Sequence, residues 1–160
     1  MARRTTTSTS TGEKATRPLG RRRVFVDTSG WYAVAAVKDK YHSEGARHFK
    51  ELLGSAAQLF TSDNVLDETL TRLRYDTSHR EALAFWQKIE AAQQAHVLTV
   101  LRVDEPIWTA ALDIFIRYED QLLSFTDCSS FELARAHALD EVFAFDDHFR
   151  MFGLVVLPEL

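Results

Sequence analysis

From Val24 onward, short runs of β-branched and aromatic residues alternate with longer stretches of helical periodicity. Val24-Phe25-Val26, ending at Asp27, reads as a buried strand. Ser29-Gly30 opens a helix through Trp31, Tyr32, Val34 and Val37. A second helix is expected from about His42 to Leu53, with Ala46, Phe49, Leu52 and Leu53 on one face and Gly54 at its C-cap. Leu59-Phe60-Thr61 is the next strand. Asp63 or Asn64 then caps a helix carrying Val65, Leu66, Leu70 and Leu73, and another follows from about Ser78 to Ala92. Val97-Leu98-Thr99-Val100 predicts a third strand. The segment from Asp104 to Tyr118 predicts a helix with Pro106 in its first turn. Thr126 or Asp127 caps a helix through Phe131, Leu133, Ala134 and Ala138. Val142-Phe143-Ala144-Phe145 and Leu154-Val155-Val156-Leu157 are the last two strands, the second stopped by Pro158.

Apolar strands that alternate with helices describe an α/β domain with a central, mostly parallel five-stranded sheet flanked by helices. That pattern occupies residues 23–160, read as one domain. Residues 1–22 differ: they are basic and rich in Ser and Thr, and Thr5 to Gly12 holds no large apolar side chain. Such a segment is expected to be a disordered tail, because it buries too little to offset its ordering entropy. It lacks the apolar core of a secretory signal. An organellar transit peptide, a basic arm that touches RNA and an idle tail are its three readings.

Composition adds three constraints. The single cysteine, Cys128, excludes a disulfide framework and a Cys-rich zinc site. No apolar run approaches the ~18 residues of a membrane helix. The net charge of −4 conceals a split: residues 1–23 carry seven basic side chains and one acidic, or +6, which leaves −10 on the rest.

Part of that negative charge falls at one edge of the expected sheet. Asp27 follows the first strand and Asp146 the fourth, so both emerge at the carboxyl edge, where open α/β sheets bind ligands. Asp127 starts a helix that begins at that edge, and Glu68 lies about one turn into the helix after the second strand. Each has an ordinary role open to it: a strand end, an N-cap, a first-turn carboxylate or a turn residue. Gathered at one rim, they repel by roughly 1 kcal/mol per pair in water and about 4 kcal/mol at an effective dielectric near 20. Few basic residues lie near them in sequence, Arg72 and Arg150 among them, so a divalent cation with all-oxygen ligands is the favoured compensation. The histidines show no metal-binding i, i+4 pair and are read as surface or core-rim residues; for His148, beside the acids, a place as phosphate or metal neighbour is the secondary reading. Trp31, Tyr32, Trp108 and Phe115 fall at helical spacing and are expected in the core.

The segments Val24-Phe25-Val26-Asp27-Thr28-Ser29-Gly30-Trp31, Val65-Leu66-Asp67-Glu68-Thr69-Leu70, Ser124-Phe125-Thr126-Asp127 and Ala144-Phe145-Asp146-Asp147-His148-Phe149 resemble, in order and spacing, the PIN-domain ribonucleases. The likeness is to the VapC-type toxins of toxin–antitoxin pairs. It implies a cytoplasmic, metal-dependent endoribonuclease whose acidic quartet is Asp27, Glu68, Asp127 and Asp146. That quartet would hold Mg²⁺ or Mn²⁺. Thr28, Ser29 and Thr126 would be hydrogen-bonding supports, RNA the substrate and an antitoxin protein the partner. A homodimer is also implied, with Trp86 on its face. Three departures stand. Ala144 occupies a position where the family often has Thr or Ser, Asp147 competes with Asp146, and Asp67 competes with Glu68. A binding-only module of the same fold and another metal-dependent phosphoesterase are the alternative functions.

Overall fold

The computed structural model describes residues 20–159. Five strands are present among them: β1 (Arg23–Val26), β2 (Gln58–Ser62), β3 (Leu98–Leu101), β4 (Glu141–Phe143) and β5 (Val155–Leu157). They form one sheet in the order β3-β2-β1-β4-β5, with every pairing parallel. The helices are α1 (Thr28–Ala35), α2 (His42–Gly54), α3 (Asp63–Asp76), α4 (His79–Gln94), α5 (Glu105–Arg117) and α6 (Phe125–Ala136), and a 3₁₀ helix (Asp147–Phe152) joins β4 to β5.

The central strands are apolar without alternation because both faces of the sheet are covered. Val24, Phe25, Val26, Val142 and Phe143 expose no surface at all. Burying such side chains stabilises the fold by about 1.5–3 kcal/mol each. Trp31 locks α1 onto this layer: its Nε1 donates to Thr61 Oγ1 at 3.0 Å, and that hydroxyl donates to the Val26 carbonyl at 2.9 Å. Gly30 brings the same helix onto β4, since a Cβ there would lie 2.5 Å from the Phe143 carbonyl oxygen. A smaller core of Ala111, Ile114, Leu123 and Cys128 joins α5 to α6, ringed by Tyr118, Phe125, Phe131 and Phe152.

The topology selects one crevice. The chain moves outward from β1 to β2 and β3, then returns to the other side of β1 for β4. The reversal lies between β1 and β4, the kind of switch point at which such sheets open a ligand crevice beyond the strand ends. The Asp27 N–H donates to the Phe143 carbonyl at 3.0 Å, which continues the β1–β4 pairing and sets Asp27 at the crevice.

Several local expectations are corrected. α1 stops at Ala35, and Val37 is exposed. Ser62, not Asp63 or Asn64, caps α3, with its Oγ accepting from Val65 N at 3.1 Å. Asp63 instead accepts from Val103 N at 3.1 Å, a bond that ties α3 to the chain after β3. Trp108 and Phe115 are about half-exposed: they flank the buried stripe of Ala111 and Ile114 and pack against Phe125 at the edge of the smaller core. The readings made for the tail fall mostly on residues 1–19, outside the described residues. Arg21 and Arg22, counted with the tail on sequence alone, contact the domain. Arg21 Nε donates to the Ala56 carbonyl, and Arg22 Nε pairs with the Glu141 carboxylate at 2.6 Å.

Candidate metal centre

Asp27 follows β1 and caps α1. Its Oδ2 accepts from the Ser29 N–H at 3.2 Å and from the Ser29 hydroxyl at 3.1 Å. The same hydroxyl accepts from Phe145 N at 2.9 Å, so Ser29 links the Asp27 carboxylate to the chain leaving β4. The other oxygen, Asp27 Oδ1, is buried and has no hydrogen-bond partner in a residue only 3% exposed. An unpartnered buried carboxylate oxygen is costly unless something else satisfies it. Burial, and then the Asp127 charge, push the Asp27 carboxyl up to about 7 from the usual carboxylate range.

Asp127 is held by a capping box. Ser124 Oγ accepts from Asp127 N at 3.0 Å, while Asp127 Oδ2 accepts from Ser124 N at 2.8 Å. Ser124 is therefore the cap of α6, in place of the expected Thr126 or Asp127. The pattern Ser124-x-x-Asp127 carried that signal in the sequence. Burial raises the Asp127 carboxyl and Asp146 adds to the shift, whereas the Ser124 hydrogen bonds and His148 oppose it. Ser124→Ala is expected to cost about 1 kcal/mol. For a chain this size the melting temperature should fall by about 3 °C. An unchanged thermal transition would show that the cap does not hold α6.

Asp146 does not directly follow a strand, as β4 ends at Phe143. It caps the 3₁₀ helix instead, with Oδ1 accepting from His148 N at 2.9 Å. Its neighbour Asp147 is exposed and accepts from Arg150 Nε at 2.9 Å. Asp127, Asp146 and His148 each offer a ligand atom, and these atoms lie within 4.8 Å of one another. Asp27 adjoins this group through the charge of Asp127.

Glu68 is not part of that tight group. It is half-buried on α3, whereas Asp67 is exposed. It lies one turn beyond Asn64, whose Nδ2 donates to Ser129 Oγ on α6 at 3.2 Å. Residues four apart share a helix face, so Glu68 lies on the stripe of α3 that looks toward α6. Among the expected supports, Ser29 binds Asp27 directly, Thr28 Oγ1 is buried without a partner, and the Thr126 carbonyl accepts from Ser129 Oγ. Cys128 is fully buried and its thiol is pushed up to about 11, first by burial and then by Asp127, which suits an inert packing group.

A family model for the PIN domain matches residues 24–153. The chain belongs to the PIN-domain family. This PIN domain is 31% identical over 137 residues to the 23S rRNA-specific endonuclease VapC20 of Mycobacterium tuberculosis, a match that covers 85% of this chain and 99% of the relative. It is 27% identical over 131 residues, 79% of each protein, to a VapC ribonuclease of Archaeoglobus fulgidus. It is thus homologous to the VapC ribonucleases. The crystal structure of Mycobacterium tuberculosis VapC20, described as a sarcin-ricin loop cleaving toxin, aligns with a TM-score of 0.70 over 82% of this chain and 96% of that one. FitAcB from Neisseria gonorrhoeae, at 14% identity and a TM-score of 0.58, shares the fold over 84% of this chain and 96% of its own. Both the resemblance and the parallel five-stranded α/β fold expected from the sequence are borne out. Among the described residues no helix is long and apolar enough to cross a membrane.

Proposed function

We propose that this PIN domain is a metal-dependent endoribonuclease that hydrolyses RNA phosphodiester bonds, and that it is the toxin of a toxin–antitoxin pair. The observation that carries the reading is the convergence of Asp27, Asp127 and Asp146 at the β1–β4 crevice, with one Asp27 oxygen buried and unpartnered. Such a donor set fits a divalent cation: the oxygens are hard, negatively charged and mutually repelling. Asp27 and Asp127 would be the central ligands, with Glu68 and Asp146 completing the site. Mg²⁺ or Mn²⁺, when bound, would activate water and offset charge developing on the phosphate.

The rest is supplied by the chain. Ser29 holds the Asp27 carboxylate in one orientation, and Ser124 does the same for Asp127. Their hydrogen bonds are formed before any substrate arrives, so little reorganisation is needed when it binds. The acidic body repels RNA at long range, and the metal together with local basic residues would supply the attraction. A homodimer and an antitoxin are the partners this reading carries. The surface cleft of α3 and α4 lined by Leu70, Tyr75, Leu83 and Trp86 supports the former, since Tyr75 is 83% exposed there.

The test compares RNA, DNA and a generic phosphodiester as substrates, each with Mg²⁺, Mn²⁺ or EDTA. RNA alone should be cut, and EDTA should stop it. Asp146→Asn should lower the rate by about 100-fold or more, and Asp147→Asn by less than about 3-fold. Cutting of all three substrates, or cleavage that persists in EDTA, would overturn the assignment. Equal losses in the two variants would remove Asp146 from its role.

A further inference from the structure

We infer that His148 supplies a nitrogen ligand to this metal centre and biases it toward Mn²⁺ over Mg²⁺. The inference rests on the reading that Asp127 and Asp146 hold a divalent cation. The His148 Nδ1 atom lies 3.0 Å from Asp146 Oδ1 and 3.8 Å from Asp127 Oδ2. It is buried, yet it makes no aligned hydrogen bond. The carboxylate oxygen nearest to it, Asp146 Oδ1, already accepts from the His148 backbone N–H at 2.9 Å. The 3.0 Å contact is within ion-pair distance but lacks hydrogen-bond alignment, and the same nitrogen also faces Asp127, so one nitrogen and two carboxylates are grouped as a shared cation requires. With a third of the side chain exposed, such a pair would also add little stability.

The ring's position is imposed by its neighbours. The backbone at His148 is tied to Asp146, and the next residue, Phe149, is 2% exposed and anchored in the main core. Two carboxylates and one imidazole nitrogen therefore converge from separate segments, α6 and the start of the 3₁₀ helix. A second buried atom without a partner, Asp27 Oδ1, belongs to the acid whose charge interacts with Asp127.

The chemistry then chooses between the two cations. Mg²⁺ binds oxygen and retains its waters, so an imidazole nitrogen gains it little. First-row transition ions take imidazole more readily than Mg²⁺ does, and Mn²⁺ among them also suits an oxygen-rich carboxylate set. One nitrogen among oxygen ligands should thus favour Mn²⁺ while keeping Mg²⁺ as a weaker occupant.

The full chain loaded with Mn²⁺ should show ¹⁴N coupling of a directly bound nitrogen by pulsed electron paramagnetic resonance, and His148→Phe should lose it. Calorimetry should show Mn²⁺ affinity falling about tenfold or more in that variant, with Mg²⁺ affinity changing less than about threefold. His148→Gln, which keeps a polar group of similar length, should show the same pattern and guards against a packing effect of Phe. Wild-type protein that binds Mn²⁺ without ¹⁴N coupling would overturn the role of His148 and leave the metal reading standing. Coupling that persists in both variants would do the same. Wild-type protein that binds neither ion would overturn the metal reading and this inference with it.

Discussion

Asp27→Asn is expected to abolish RNA cleavage and, in the metal-free protein near neutral pH, to make the fold more stable. The first effect follows from removing a proposed central ligand and should exceed about 10³-fold. The second follows from burial. The folded-state pKa of Asp27, about 7, stands above the ordinary 3.8. Between those values the folded chain holds a proton that the unfolded chain has released. Stability from this group is fully present below about pH 4 and is lost as pH rises through about 7. Asp127 shifts in the same direction and adds to the slope. Asparagine removes the buried charge yet keeps an oxygen for the two Ser29 bonds, and it caps helices as well as aspartate does. In EDTA the variant should therefore melt near the wild type at pH 4.5 and about 5 °C above it at pH 7.5, on the order of 2 kcal/mol. Scanning calorimetry across that range measures the gap. A variant less stable than wild type at pH 7.5 would mean that the lone carboxylate oxygen carries no cost.

Gly30→Ala should destabilise the domain by about 2 kcal/mol, although alanine is the better helix former by about 1 kcal/mol. The new Cβ would stand 2.5 Å from the Phe143 carbonyl oxygen and 3.2 Å from its carbonyl carbon. These are backbone atoms of a fully buried strand, so they cannot move aside as a flexible side chain would. α1 must lift instead. The same carbonyl accepts the Asp27 N–H, so lifting α1 also displaces Asp27 from the acidic cluster. The melting temperature should fall by about 6 °C and RNA cleavage should drop with it. Gly54→Ala is the control: no atom stands within 4 Å of a Cβ there, and a small gain in stability is expected. Equal effects at the two glycines would refute the close-approach explanation.

Much of the fold was legible because its central strands are buried on both faces. Val24-Phe25-Val26 and Val142-Phe143 read as strands of a covered sheet, and the acids beyond their ends, Asp27 at once and Asp146 three residues on, fall at one edge. What was not legible depended on partners distant in sequence. β4 stops at Phe143 and not at Phe145 because the Phe145 N–H goes to Ser29, 116 residues away, while its ring stacks on Tyr41 at 4.5 Å. α5 is apolar over most of its circumference, and periodicity does not reveal which part of that broad arc meets α6. His148 had the right neighbours in the sequence. Its approach to Asp127, however, depends on how the 3₁₀ helix folds back, which no local pattern encodes.

The position of β1 between β2 and β4 has a further consequence for how the molecule is made. A chain made only as far as β3 holds three of the five strands, β3-β2-β1, with one edge of β1 still bare. At that stage Asp27 lacks the Phe143 carbonyl and the Ser29–Phe145 link, and Asp127 and Asp146 have not been synthesised. The acidic cluster is therefore assembled only when β4 closes that edge, as a late product of folding that the β3-β2-β1 part cannot make alone.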